Sequence, residues 1–118
     1  MRTWIDIDQS ALISNYRLLQ STVSRPNRKV FVVPVVKANA YGHDANIVAP
    51  ALQRAGARWM AVATVEEAVA LREAGIQGRI FVFGGGYAHA LPELVRLELT
   101  PIVGRIDDLG EIAHCIKG

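Results

Sequence analysis

The chain has 118 residues, 51% hydrophobic and 20% charged, with a formal net charge of +2. That is one compact domain's worth of sequence with enough apolar residues to bury a core, which sets aside a disordered chain. Its basic residues are scattered, with no run beyond Arg28-Lys29, so no nucleic-acid footprint is expected. No apolar run approaches the ~20 residues that span a membrane. The opening Met1-Arg2-Thr3-Trp4-Ile5-Asp6 puts an acid where a signal peptide is apolar. Cys115, the single cysteine, excludes an internal disulfide framework. A cytoplasmic location is therefore expected, with Cys115 read as a small apolar residue of a helix.

Thr3 to Ile7 alternates and predicts a half-buried strand. Asp8 is placed to cap a helix whose apolar stripe is Leu12, Tyr16, Leu19 and Val23, ended by the polar loop around Pro26-Asn27. Val30 to Val36 is a continuous β-branched and aromatic run, as in a strand buried on both faces of a parallel sheet. Pro34 conflicts with that, since it removes a ladder donor and favours an edge or a bulge. Asp44 is a candidate cap for a helix with Ile47, Val48, Ala51, Leu52 and Ala55 inward and Gly56 at its C-cap. Pro50 lies inside that helix and should cost a backbone bond.

Trp59 to Ala63 reads as a second core strand, followed by Thr64-Val65-Glu66-Glu67 in the form of a capping box. Glu66 and Glu67 could act as catalytic carboxylates, but capping and the helix dipole account for them without catalysis. Ala68, Leu71 and Ala74 line this helix and Gly75 stops it. Arg79 to Phe83 is the third core strand, followed by Gly84-Gly85-Gly86. The triplet lacks both the Walker lysine and the GxGxxG spacing, so it reads as a βα loop. A short helix from His89 to Leu97 with Pro92 in its first turn, a fourth strand from Thr100 to Val103, and a last helix capped by Asp107 or Asp108 complete the chain. That last helix carries a Leu109, Ile112, Ala113, Ile116 stripe. His43, His89 and His114 have no metal-ligand spacing, and no metal site is expected. Four strand–helix alternations after the first helix imply a parallel sheet with right-handed crossovers. An open doubly wound sheet and part of a (β/α)8 barrel both satisfy that order.

The chemistry concentrates in Val35-Val36-Lys37-Ala38-Asn39-Ala40-Tyr41-Gly42-His43. A lysine ends an apolar strand where the chain turns into a loop. Apolar walls penalise a charged ammonium, and the neutral amine attacks an aldehyde to form a Schiff base. Tyr41 offers a hydroxyl that can donate to a phosphate, and Gly42 allows a tight turn. An isolated strand-end lysine is otherwise a solvated side chain. The whole nonamer, however, resembles the cofactor-lysine segment of the alanine racemases, which carry pyridoxal 5′-phosphate (PLP). Thr3-Trp4-Ile5-Asp6-Ile7-Asp8, Ala61-Val62-Ala63 with Glu66-Glu67-Ala68, and Leu71-Arg72-Glu73-Ala74-Gly75-Ile76 are similar to the family's N-terminal region, in its order.

The resemblance implies a TIM-type (β/α)8 barrel, here an incomplete one of about four βα units preceded by a strand and a helix. Residues 1–118 would be its N-terminal part, without the family's C-terminal β domain. It implies a PLP-dependent racemase interconverting L- and D-alanine, which supplies D-alanine for peptidoglycan. Lys37 would hold PLP and act as the base on one face of the substrate, and Tyr41 would donate to the cofactor phosphate. The opposite-face base is, in the family, a tyrosine from the partner subunit's C-terminal domain, and no residue here matches it. Arg72 and Arg79 match none of the family's cofactor or carboxylate contacts. A small amino-acid substrate, a homodimer or self-associated chain, and inactivity of the 118 residues alone are expected. Two alternatives stay open: a fragment of another PLP barrel enzyme, such as a decarboxylase or broad-specificity racemase, and a non-catalytic PLP-binding module.

Overall fold

The computed structural model describes residues 2–117. Its frame is a parallel sheet of three strands in the order β1-β2-β3: β1 (Trp59–Val62), β2 (Arg79–Val82) and β3 (Thr100–Pro101). Trp59 pairs with Arg79 and Val62 with Val82; Phe81 pairs with Thr100. Helix α1 (Gln9–Val23) precedes the sheet. A short turn α2 (Lys37–Tyr41) and helix α3 (Ala45–Arg54) lead into β1, α4 (Val65–Glu73) joins β1 to β2, and α5 (Leu91–Arg96) joins β2 to β3. Helix α6 (Ile106–Lys117) comes after β3.

Local chemistry sets the helix ends. The Asp8 carboxylate accepts from Ala11 N at 3.0 Å, and that of Asp44 from Asn46 N at 3.0 Å. Thr64 and Glu67 form the expected reciprocal box. Three helices then stop in the same way. Gly56 (φ 105°), Gly75 (φ 90°) and Glu98 (φ 51°) turn left-handed, and Ala57, Ile76 and Leu99 N donate back to Leu52, Leu71 and Leu94 O. The C-cap of α3 is thus Ala55, with Gly56 one residue beyond. Pro50 is accommodated inside a continuous α3.

Side chains alternate across strands, so the sheet has two faces. One face carries Val36, Met60, Val62, Ile80 and Val82, all buried, in one core cluster with Tyr16, Val48, Leu52, Leu71 and Leu94 of the helices. The other carries Val35, Trp59, Phe81, Phe83 and Ile102. It has no such helical cover: Val35, Phe83 and Ile102 keep 39%, 38% and 46% of their surface exposed. Phe31, Trp59 and Phe81 make an aromatic row along it, with ring centroids 4.9 Å and 5.7 Å apart.

Several sequence expectations are corrected. Thr3 to Ile7 forms no strand; Trp4 and Ile5 are 75% and 71% exposed, with no strand among the described residues paired to them. Val30 to Val36 forms no strand and joins the sheet only through a bridge from Val35 to Ala61. Two causes act here. Pro34 has no N–H, so it contributes only its carbonyl, which accepts from Ala61 N at 2.9 Å. Upstream, the Gln20 side-chain amide takes the place of a neighbouring strand, donating to Val30 O at 2.7 Å and accepting from Val32 N at 2.9 Å. The fourth strand shrinks to Thr100–Pro101 for the same lack of a donor at proline. The His89–Leu97 segment divides into a 3₁₀ turn, Ala88–Ala90, and α5. Helix α6 starts at Ile106, so Asp107 and Asp108 sit inside its first turn rather than at the cap. Its stripe is mostly unburied: Ile112 packs against the core, but Leu109 and Ile116 are 55% and 69% exposed. Leu19 of the α1 stripe is likewise 56% exposed. Cys115 is free and exposed on α6.

Candidate active site

Lys37 is the first residue past the point where its segment pairs with the sheet. Val36, 3% exposed, donates to Ala61 O at 2.9 Å and is the last fixed residue before the turn. From Ala38 the chain winds into a left-handed helical turn. Ala38, Asn39, Ala40 and Tyr41 have φ of 51°, 55°, 56° and 55°, and none is glycine. L-residues lose roughly 1–2 kcal/mol each in this conformation, so local contacts must hold it. Gly42 (φ 86°) closes the turn, donating to Ala38 O at 3.1 Å. Asn39 ties it forward: its Oδ1 accepts from Ala45 N at 2.8 Å and its carbonyl from Asp44 N at 3.0 Å. His43, exposed, has its backbone N 3.0 Å and its Nδ1 3.1 Å from Ala40 O, so it braces the turn.

Lys37 extends from the uncovered face of the sheet. It is half-buried, and its Nζ stands 5.6 Å from the centroid of the Phe83 ring, at the C-terminal end of β2. An aromatic face attracts an ammonium group. Among the described residues the Lys37 amine makes no ion pair and no hydrogen bond. Tyr41, at the other end of the same turn, is 58% exposed, and its hydroxyl has no protein partner among the described residues. Lys37 and Tyr41 thus share one turn but not one cavity. Tyr41 lines a groove of about 540 Å³ with Leu12, Tyr16, Val36 and His43, and Lys37 does not.

Glu67 has a second task that its spacing from Thr64 did not reveal. Its Oε1 accepts from Ala63 N at 3.0 Å and Thr64 N at 2.9 Å, as a capping residue does. Its Oε2 accepts from Ala38 N at 2.6 Å, twenty-nine residues away, beside Lys37. Glu66 is exposed. Gly84 is fixed by space rather than by phosphate chemistry, since a Cβ there would lie 2.1 Å from Ala63 O. Tyr87, unmarked in the sequence, is 1% exposed, with its hydroxyl 2.6 Å from Val82 O and 2.8 Å from Ile102 O. Arg72 is a staple at the far end of the sheet. It donates to Leu97 O, Ile76 O, Gly78 O and Glu98 O at 2.9, 2.7, 2.7 and 3.3 Å. Burial pushes its guanidinium below the usual range while the Glu98 carboxylate opposes the shift.

Comparison with known proteins identifies the family. The family description "Alanine racemase, N-terminal domain" matches residues 7–117. An alanine racemase of Synechocystis sp. is 46% identical over 84 residues, 71% of this chain and 22% of its own length. One from Nostoc sp. is 45% identical over 104 residues, 87% of this chain and 26% of its own length. The crystal structure of alanine racemase from Bartonella henselae with covalently bound pyridoxal phosphate superposes with a TM-score of 0.83 and 31% identity, covering 94% of this chain and 31% of that one. The chain therefore spans about a quarter to a third of the length of such relatives. With residues 7–117 matched, nearly its whole length, the chain belongs to the alanine racemase family, to its N-terminal domain.

Proposed function

We propose that this chain carries the lysine-bearing part of a PLP-dependent amino-acid racemase site. Its substrate is alanine, interconverted between L and D forms in the cytoplasm to supply D-alanine for peptidoglycan. The observation that carries this reading is the Lys37 amine, unpaired with any described carboxylate, held over Phe83 at the C-terminal end of parallel strands. Barrel active sites lie at that end of the sheet.

The residues present fit the cofactor. A primary amine free of protein partners suits bonding to an aldehyde and an aromatic floor suits a planar ring, while the Tyr41 hydroxyl, which opens onto a separate groove, would have to swing with its turn to donate to a phosphate held beside Lys37. When bound, PLP supplies an electron sink for the carbanion at the substrate's α-carbon. Lys37 Nζ would hold the cofactor and, once free, take or return the α-proton on one face. No residue of this chain serves the opposite face, so residues 1–118 alone turn over no substrate; the family's C-terminal β domain lies outside them.

The one-sided cover of the sheet supports a (β/α)8 barrel. A doubly wound sheet carries helices on both faces, whereas a barrel strand turns its inner face to other strands. A barrel takes about 250 residues, so residues 1–118 form roughly its first half, in an enzyme acting as a homodimer. The Lys37 amine held over Phe83 fits equally a second reading, a non-catalytic PLP-binding module. Cofactor retention without turnover, in the longest chain that can be expressed, distinguishes it.

The test is titration of the chain with PLP, reduction with borohydride and peptide mass mapping. Lys37 should carry the label and Lys29 and Lys117 should not, and Lys37→Ala should abolish labelling. Equal label on all three lysines overturns the assignment.

A further inference from the structure

We infer that Glu67 is the positioning residue of Lys37, holding the left-handed turn to the end of β1. This rests on the reading of Lys37 as the reactive amine. The turn is a poor conformation for Ala-Asn-Ala-Tyr, and the Ala38 N–H at its start, which has no acceptor within the turn, needs one outside it. Glu67 provides it at 2.6 Å, a charge-assisted bond at the short end of the range. The same carboxylate holds Ala63 N and Thr64 N through its other oxygen. One side chain thus caps two helical segments of opposite hand and joins the residue after Lys37 to the strand end beside it. Ala63 in turn is the residue whose carbonyl Gly84 must approach, and Phe83, under the lysine amine, precedes Gly84. The amine and its aromatic floor are therefore referred to one point.

A glutamine cannot do both tasks. Its single oxygen can stay with Ala63 and Thr64, but its NH₂ then faces the Ala38 N–H, donor against donor. Thr64→Ala is the control: it removes the hydroxyl that accepts from Glu67 N at 3.1 Å and donates weakly to Glu67 Oε1 at 3.3 Å, but leaves that oxygen its Ala63 and Thr64 N–H partners and leaves Oε2 with Ala38 N.

The experiment measures amide hydrogen exchange by NMR together with the share of PLP–borohydride label on Lys37, in wild type, Glu67→Gln, Glu67→Ala and Thr64→Ala. Loss of a charge-assisted bond should speed Ala38 exchange about tenfold or more in both Glu67 variants and not in Thr64→Ala. The label on Lys37 relative to Lys29 and Lys117 should fall about fivefold in the Glu67 variants alone, a change that a purely helix-capping role would not produce. Unchanged Ala38 exchange in both Glu67 variants overturns the tether. Faster exchange with an unchanged Lys37 share overturns the positioning role. Even labelling of all lysines in the wild type overturns the reading of Lys37 instead, and the exchange data still decide whether Glu67 holds the turn.

Discussion

Tyr87 serves two carbonyls with one hydroxyl, and it does so where the sheet is thinnest. β3 is two residues long, so the Tyr87 hydroxyl, near Val82 O and Ile102 O, extends its attachment to β2. Val82 O also accepts from Ile102 N at 2.7 Å, so it stays satisfied if the hydroxyl is removed, whereas Ile102 O loses this partner. Tyr87→Phe keeps the buried ring and should cost about 1–2 kcal/mol. The check is urea denaturation: a lower midpoint with an unchanged slope means lost stability, and an unchanged midpoint means that the hydroxyl contributes nothing net. At this scale, legibility in the sequence depended on distance along the chain. The Asp8, Asp44 and Thr64–Glu67 caps were legible because their partners lie two or three residues away. The Glu67–Ala38 and Tyr87–Ile102 bonds join residues 29 and 15 apart, and no local spacing marks them.

Among the elements, the turn at Lys37 and the loop at Gly84 are coupled by close packing. Both touch the end of β1, one through Glu67 and Ala63 N, the other through Ala63 O. Gly84→Ala would put a Cβ 2.1 Å from that carbonyl, so the two strand ends must separate. Overpacking of this kind costs about 1–3 kcal/mol. Because Phe83 moves with Gly84, the Lys37 label share should fall as well. Gly85→Ala is the contrast: its φ is 77° with nothing within 4 Å of the new Cβ. It should cost roughly 1–2 kcal/mol of backbone strain and leave the labelling of Lys37 alone. Equal labelling in wild type and Gly84→Ala would show that the strand ends yield without moving Phe83. The glycine triplet was legible as a βα loop but not as a steric requirement, which needs the carbonyl of another strand. The left-handed turn was illegible, because Ala38-Asn39-Ala40 contains none of the glycine that marks such a conformation. The β-branched run from Val30 also looks the same whether another strand or the Gln20 side chain accompanies it.

As a whole the molecule is a slab, 51 × 48 × 23 Å, with a radius of gyration of 16.1 Å. A compact chain of this length would have about 13.5 Å. The difference arises from a sheet with helices on one side and apolar residues open on the other. Val35, Phe83 and Ile102 are each at least 38% exposed, and among the described residues β3 has an unpaired edge. Such faces associate. The 118-residue chain should therefore sediment as a concentration-dependent oligomer. Ile102→Glu, which puts a charge on that face, should weaken association about tenfold or more. Leu18→Glu, on an α1 residue 64% exposed, should not. A sharp monomer boundary across the concentration range, with a cooperative melt, would show that the open face is stable in water. Equal weakening by both variants would assign the association to general stickiness instead. The face that drives association is also the one from which Lys37 extends over Phe83. Whatever covers it, a second copy here or further strands in a longer chain, also walls in the amine and excludes water from it. The same exposed surface therefore links assembly to the chemistry proposed for Lys37, and Ile102→Glu should reduce Lys37 labelling in step with the loss of oligomer.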